Sequence, residues 1–410
     1  MTTRTRTRAL TAGDTTLADF TERLFGHLPR ADQRRWARVY LQGLLTTPGK
    51  KSVRRLAASV TESPTASQSL QQFINASPWD WNPARTELLR WVEERHPVRA
   101  WTIGQVCFPK RGEHSVGVHR RFDPVAGRIV NCQLGFCLFL SLDDGMSVPV
   151  DWRLALPEAW VTDPVLRRRA RISPEAVHQS PEALVLELVD SIAARTSSAR
   201  PPVVADLSRL AGAAALIGVL GRRGHDFLVS IPPTLAVRAA ALTHGGDPAR
   251  RPGRGGTTAG DFARLGNTSH PYSAPLAGPD ARPQRQPQRQ RQRQLIHSAL
   301  VRLPEGEAGG RGAQQIYRLF GERRPGRQGG GPFWLTNMNR HRMDDLLHLV
   351  RRSARSTAVL GALADEFGLL DFEGRSFPGW HHHMTLMSAA YAYAYAVRGR
   401  ERGELGRQSA

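Results

Sequence analysis

The sequence predicts a mixed α/β protein, and three observations carry that expectation. Apolar residues recur three or four apart through residues 15–97. Four short apolar or alternating runs bounded by Gly, Pro and Asp follow between residues 98 and 154, and helix and strand patterns then alternate to residue 231. With 410 residues, 40% of them hydrophobic, the chain can bury a sizeable core, and its length suits two or three domains of roughly 100–200 residues.

In the first segment Leu17, Phe20, Leu24, Trp36, Val39, Leu41 and Leu44 keep mostly helical spacing until Thr47-Pro48-Gly49 breaks it. A basic helix is expected at 52–60 (SVRRLAASV), a turn at Ser63-Pro64, and a second helix at 65–74 (TASQSLQQFI). Two short helices joined by a tight turn and carrying Lys50, Lys51, Arg54, Arg55, Gln71 and Gln72 suit a helix-turn-helix-like DNA reader. The plain alternative is a helical bundle with a solvated basic face, and the residues alone leave both open. Residues 1–97 thus form the expected all-helical N-terminal domain.

From Val98 the runs at 98–106, 115–121, 129–142 and 147–154 read as consecutive strands of a meander. A helix is expected at 181–195, with Ser180 at the N-cap and Pro181 at the first helical position. A strand at 203–206, a Gly- and Ala-rich helix to residue 220 and a strand at 227–231 complete the expected first part of the core, residues 98–248. Antiparallel strands followed by helix–strand alternation is the order of a ribonuclease-H-like core. Residues 249–331 hold 15 Arg against five acidic residues and include the tract RPQRQPQRQRQRQ at 282–294, which cannot bury a core. This basic low-complexity insertion reads as a salt-sensitive clamp on phosphates or as a solvated loop. Strand-like order returns at 294–303 and 331–336. Residues 332–398 supply the C-terminal part of the core with helices at 343–367 and 378–397, and 399–410 read as a flexible tail.

The formal charge is +21, from 57 basic and 36 acidic residues, and a surplus of this sign favours a polyanionic partner. Nucleic acid comes first and an anionic membrane surface second. Only Lys50, Lys51 and Lys110 are lysines, so part of the Arg surplus reads as codon bias. No apolar run approaches the roughly 18 residues a spanning helix needs, and residues 1–10 lack an apolar signal region, so a soluble cytoplasmic protein is expected. Cys107, Cys132 and Cys137 are too few for a disulfide framework and lack zinc-site spacing, which makes them small buried hydrophobes. Trp101, Trp152, Trp160 and Trp380 are expected in the core. His381, His382 and His383, being consecutive on a helix, point about 100° apart and cannot all face one ion, so packing or phosphate contact is expected of them.

Several blocks resemble one family in collinear order. Phe108-Pro109-Lys110-Arg111-Gly112, followed by His114-Ser115-Val116-Gly117-Val118, resembles the first motif of DDE-type insertion-sequence transposases, in the branch whose strand reads Asp-Asp-Thr-Gly-Phe-Pro-Lys. Asn131-Cys132-Gln133-Leu134-Gly135 is similar to that family's Asn-Cys-Gln-hydrophobic-Gly strand, and Leu154-Ala155-Leu156-Pro157-Glu158-Ala159-Trp160 to its Leu-x-Leu-Pro-Glu-x-Trp segment. Trp334-Leu335-Thr336-Asn337, Gly368-Leu369, Phe372-Glu373-Gly374-Arg375-Ser376 and Gly379-Trp380-His381-His382-His383 complete the series.

The resemblance implies DNA cleavage and strand transfer by two Asp and one Glu that hold a pair of Mg²⁺ ions. The register set by Phe108-Pro109-Lys110 puts Gly104 and Gln105 where the first acids belong. Asp206, after Val203-Val204-Ala205, matches the second acid, and counting back from Gly368-Leu369 puts Thr357 at the third. Asp365, Glu366 and Glu373 are conceivable substitutes, but Glu366 lies nine residues beyond Thr357, about 13.5 Å along a helix. Glu373 belongs to a block the intact family also has. One carboxylate would hold Mg²⁺ poorly, so the resemblance implies a degenerate triad: a DNA-binding transposase homologue impaired in catalysis. The alternative is an active transposase with substitute ligands. Lys110, Arg111 and Arg375 flank the implied site as phosphate contacts, double-stranded DNA is the implied partner, and the oligomeric state stays open, a dimer included.

Overall fold

The computed structural model describes residues 16–123, 127–240, 257–261, 268–272, 294–304, 315–323 and 331–408. Five helices come first: α1 (Leu17–Phe25), α2 (Ala31–Thr46), α3 (Val53–Val60), α4 (Ala66–Asn75) and α5 (Asn82–Glu93). Thr16 starts α1 with a capping box, its hydroxyl accepting from the Asp19 amide at 3.1 Å while the Asp19 carboxylate accepts from the Thr16 amide. Each helix turns one apolar stripe inward, for example Leu70, Phe73 and Ile74 of α4.

Strands β1 (Val98–Pro109), β2 (His119–Asp123), β3 (Arg128–Leu142) and β4 (Ser147–Leu154) follow, then helices α6 (Glu158–Thr162), α7 (Pro164–Ala170) and α8 (Pro181–Arg195). Ser180 caps α8 as its position predicts, accepting from the Ala183 amide at 3.2 Å. Next come β5 (Val203–Asp206), α9 (Ala213–Arg222), β6 (Phe227–Ile231), β7 (Ala236–Ala239), β8 (Thr257–Thr258), β9 (Thr268–Tyr272), β10 (Gln294–Arg302), β11 (Tyr317–Arg323) and β12 (Phe333–Thr336). Helices α10 (Met343–Glu366) and α11 (Phe377–Gln408) close the chain. No helix among the described residues is long and apolar enough to cross a membrane.

The sheet runs β4 and β3 antiparallel, β3 and β1 antiparallel, then β1, β5 and β6 parallel. This is a large mixed sheet consistent with a ribonuclease-H-like fold. Beyond β6 it is extended by antiparallel β12, β11 and β10. Segment 249–331 therefore contributes four strands rather than only a low-complexity insertion, while 282–293 of the Arg/Gln tract lie outside the described residues. The strand expected at 115–121 is displaced to His119–Asp123. Gly117 turns the chain with φ of 74°, and a Cβ there would stand 3.0 Å from the Ala155 carbonyl oxygen. The last helix continues to Gln408, through residues whose sequence reads as a tail.

One hydrophobic cluster joins the helical segment to the sheet. It includes Phe20, Leu41 and Leu70, the strand residues Trp101, Phe136 and Trp152, and Trp380, Met384 and Met387 of α11. From Trp380 to Ala392 α11 is buried on all sides. The four expected core tryptophans are all inside, as are Cys132 and Cys137, while Cys107 is half-buried.

Charge is buried in this core. Arg85 of α5 and Asp151 of β4, each 1% exposed by side chain, pair at 2.8 Å, and Arg153 and Arg195 close on the same carboxylate. Arg85 also donates to Thr385 Oγ1 at 2.8 Å and to His381 Nδ1 at 3.1 Å on α11. Burial pulls Arg85 down to about 10 despite Asp151. Burial alone would raise Asp151, but Arg153, Arg85 and Arg195 overrule it and keep the carboxyl well below its ordinary range. Asp151→Ala would leave three arginines around an emptied site; a loss of about 3–5 kcal/mol in urea unfolding is expected, the cost of breaking a buried pair.

The three consecutive histidines complete the tie. His382 lies between the carbonyl oxygens of Ile74 and Trp79, both at 2.9 Å, and stacks on the Trp79 ring. His383 bridges Tyr40 Oη at 2.8 Å and the Gly368 carbonyl at 3.0 Å. Burial lowers His382 and His383 to about 4, and holds His381 well below its ordinary value. A histidine with a depressed folded pKa binds fewer protons folded than unfolded, so its stabilisation is complete above about pH 6.5 and falls as pH drops. Urea unfolding is accordingly expected to show stability declining between about pH 6.5 and 4, by up to about 1.4 kcal/mol per pH unit for each histidine. A flat profile would contradict the neutral buried trio.

Candidate functional site

Asp206 ends β5. Val203, Val204 and Ala205 are buried and Asp206 emerges, its Oδ1 accepting from Ser230 Oγ on β6 at 2.6 Å and from the Ser208 amide at 3.0 Å. The parallel register pairs Trp101 with Val203, Thr102 with Val204 and Ile103 with Ala205. One further step along it brings Gly104 alongside Asp206.

The face is set by the neighbours. Val204 packs with Leu346, Leu347 and Val350 of α10, and alternation turns Asp206 toward the same side. On β1, Thr102 meets Ser356 of α10 at 2.5 Å between hydroxyl oxygens. A Cβ on Gly104 would lie 3.3 Å from both Leu360 Cδ1 of α10 and Phe139 Cε2 of β3. Gln105 is half-buried and, by alternation, faces the other side of the sheet. Thr357 is exposed with its hydroxyl turned back to the Ser353 carbonyl at 3.3 Å. The α10 residue that meets Gly104 is thus Leu360, three positions beyond Thr357.

One strand end, one strand centre and one helix face therefore converge, with a single carboxylate among them. No group of three His, Cys, Asp or Glu side chains that could hold a metal ion occurs among the described residues. Paired Mg²⁺ ions demand several hard oxygen ligands, and a glycine backed by Leu360 and Phe139 supplies none, so the residues do not fit them.

A second feature is a groove of about 660 Å³ between α3, α4, the end of α7 and residues 371–376, lined by more basic than acidic side chains, with Asp371 and Glu373 among the lining. Arg54 and Arg375 line it, exposed. So do Arg169 and Arg171, which sequence reading did not single out although the run Arg167-Arg168-Arg169 signals them. Arg171 caps α7 in a left-handed conformation, φ 57°, and donates to the Asn75 carbonyl at 2.7 Å. The outer side of α4 presents Gln68, Gln71 and Gln72 to solvent.

The other nominated cations divide. Lys51 is buried, its Nζ donating to the carbonyls of Leu44 and Thr47 at the end of α2. Burial lowers its pKa, with Asp371 opposing. Lys110 donates to the Phe372 carbonyl at 2.8 Å and is likewise lowered by burial. Lys50 pairs with Glu373 at 2.6 Å in solvent. Arg55 is exposed and donates to the Pro48 carbonyl, and Arg111 is exposed. Lys51 and Lys110 thus brace loops instead of facing the groove with free ammonium groups.

A family model described as DDE superfamily endonuclease matches residues 23–299, about two thirds of the chain. No curated protein matches. The crowding at Gly104 makes a measurable claim: Gly104→Asp is expected to cost about 1–3 kcal/mol in urea unfolding, and Leu360→Ala in the same chain to make the added substitution less costly.

Proposed function

We propose, because the chain belongs to the DDE superfamily endonucleases, that it binds double-stranded DNA and has lost the metal-dependent chemistry of cutting and joining it. The finer reading is an insertion-sequence transposase homologue with a degenerate triad. What supports it is the β1–β5 register, which pairs Ile103 with Ala205 and, continued by one step, brings Gly104 alongside Asp206, with Leu360 across from Gly104. Asp206 alone offers at most two hard oxygens, one of them engaged by Ser208 and Ser230.

Binding rests on other residues. Arg54, Arg169, Arg171 and Arg375 gather in one groove beside the amide-rich side of α4, which suits phosphates with base edges within reach. Lys110, one residue past the end of β1, is braced against the carbonyl of Phe372, a residue of the groove lining.

The test is incubation of the full chain with supercoiled plasmid and linear duplexes carrying candidate terminal repeats, in Mg²⁺ and in Mn²⁺. Salt-sensitive binding without nicking is expected. Metal-dependent nicking that Asp206→Ala abolishes would establish the active alternative, and absence of DNA binding would remove the proposal altogether.

A further inference from the structure

Strand β3 outruns its neighbour. Its register with β1 ends at the pair Pro109 and Cys132, apart from a backbone hydrogen bond from the Lys110 amide to the Asn131 carbonyl, while residues 128–130 pair with β2. The result is a two-stranded ribbon that overhangs the sheet, in the register Arg120 with Asn131, Arg121 with Val130, Phe122 with Ile129 and Asp123 with Arg128.

Its outer end breaks the usual economy of a surface. Phe122 and Ile129 are each 58% exposed, and they stand directly opposite one another. The described residues hold five large exposed hydrophobics, and only these two are cross-strand partners. Single exposed apolar side chains need no explanation, but an opposed pair on one face of the ribbon, one position before the last described pair Asp123 and Arg128, is a contiguous apolar patch near its end.

What surrounds the patch selects its partner. Cross-strand partners share a face, so Arg120 and Asn131 lie one pair back from Phe122 and Ile129 on the same side. Asn131 Nδ2 donates to the carbonyls of Lys110 and Gly112, which fastens the turn bearing exposed Arg111 against that side. Arg121 and Arg128 occupy the other face. Four guanidinium groups against Glu113 and Asp123 make a cationic collar around an apolar point. A neutral protein surface would satisfy the patch and leave the collar without partners. A duplex satisfies both, phosphates meeting the arginines and stacked bases meeting the apolar pair.

We propose that this ribbon is a DNA wedge: Phe122 and Ile129 enter between adjacent base pairs and unstack them, while Arg111, Arg120 and Arg128 hold the flanking phosphates. Apolar side chains that enter a base step in this way kink the duplex and favour flexible pyrimidine–purine steps. The inference rests on the DNA-binding reading above, which the groove supports independently.

Permanganate, which oxidises unstacked thymines, reads the wedge at every position of a mixed-sequence duplex rich in TA steps. With the full chain at saturation, raised reactivity at discrete TA steps is expected. The double variant Phe122→Ala/Ile129→Ala should return reactivity to the level of free DNA and weaken binding about three- to tenfold, with an unchanged slope of log affinity against log salt, because no phosphate contact is lost. Arg54→Ala/Arg375→Ala in the groove should do the converse, with a shallower salt slope and reactivity kept at saturation.

Binding without raised reactivity, or reactivity that survives in the double variant, would overturn the wedge and leave the DNA reading standing. A double variant that changes only the oligomeric state in light scattering would overturn it in favour of a second copy of the chain as occupant. Failure of the wild type to bind duplex at any low salt concentration would remove both readings.

Discussion

The carboxylate of Asp151 is the point on which the architecture turns. It is fully buried, on β4, a strand that pairs only with β3, and carries its charge only because Arg85, Arg153 and Arg195 reach it from α5, β4 and α8. Arg85 in turn touches Thr385 and His381, so one cation spans the helical segment, the sheet and the last helix. An isolated buried ion is costly, and a pair gains little over apolar packing of the same shape. What the pair does supply is direction. A greasy contact would let α5 slide over α11, whereas five directed donors on one guanidinium fix the relative position of three elements.

That position decides the groove. One wall is built from α3 and α4, the other from residues 371–376, and these are far apart in sequence. His382 grips the Ile74 carbonyl at the end of α4, and His383 ties Tyr40 of α2 to the Gly368 carbonyl. The Gly-Trp-His-His-His block is therefore a clasp between the N-terminal helices and the closing helix. His383 does this as a neutral imidazole, accepting from Tyr40 Oη at Nδ1 and donating to the Gly368 carbonyl from Nε2, whereas a neutral His382 donates to only one of its two carbonyls at a time. The metal that three adjacent histidines suggest at first sight is unnecessary to explain them.

Much of the sheet was legible because its strands are bounded by residues that end strands for local reasons. β4, β5 and β6 fall where alternation and flanking Gly, Pro and Asp put them. The displaced β2 shows the limit of that reading. SVGVHRR alternates well, yet Val116 is buried in a turn governed by Gly117 and the Ala155 carbonyl, a contact almost forty residues distant. The fates of Lys51 and Lys110 were likewise illegible, since their loops meet residues 371 and 372 only after the whole chain has folded. For the acid site, the spacing to Phe108-Pro109-Lys110 puts Gly104 and Gln105 at the first position, and the β1–β5 register, which reaches Ile103 with Ala205, runs toward Gly104 and Asp206. Counting back from Gly368-Leu369 points to Thr357, whereas the α10 side chain that faces Gly104 is Leu360, a facing that counting along a helix turning 100° per residue does not show without the packing.

If the site is depleted, as proposed above, the persistence of the scaffold around it follows from the same forces. Three carboxylates facing one another repel unless cations lie between them, so an intact acid triad weakens the fold that carries it. On the proposed reading, glycine at 104 removes that repulsion, and the space a side chain there would need is closed by Leu360 and Phe139. Once cleavage confers no advantage, these exchanges are favoured by stability alone, whereas Arg85, Asp151 and the three histidines cannot be exchanged singly without stranding a buried partner. The buried charge network and the groove it shapes are thus expected to outlast the catalytic acids. On the proposed reading, a protein that loses its chemistry in this order would pass through a state in which grip on DNA remains and cutting does not.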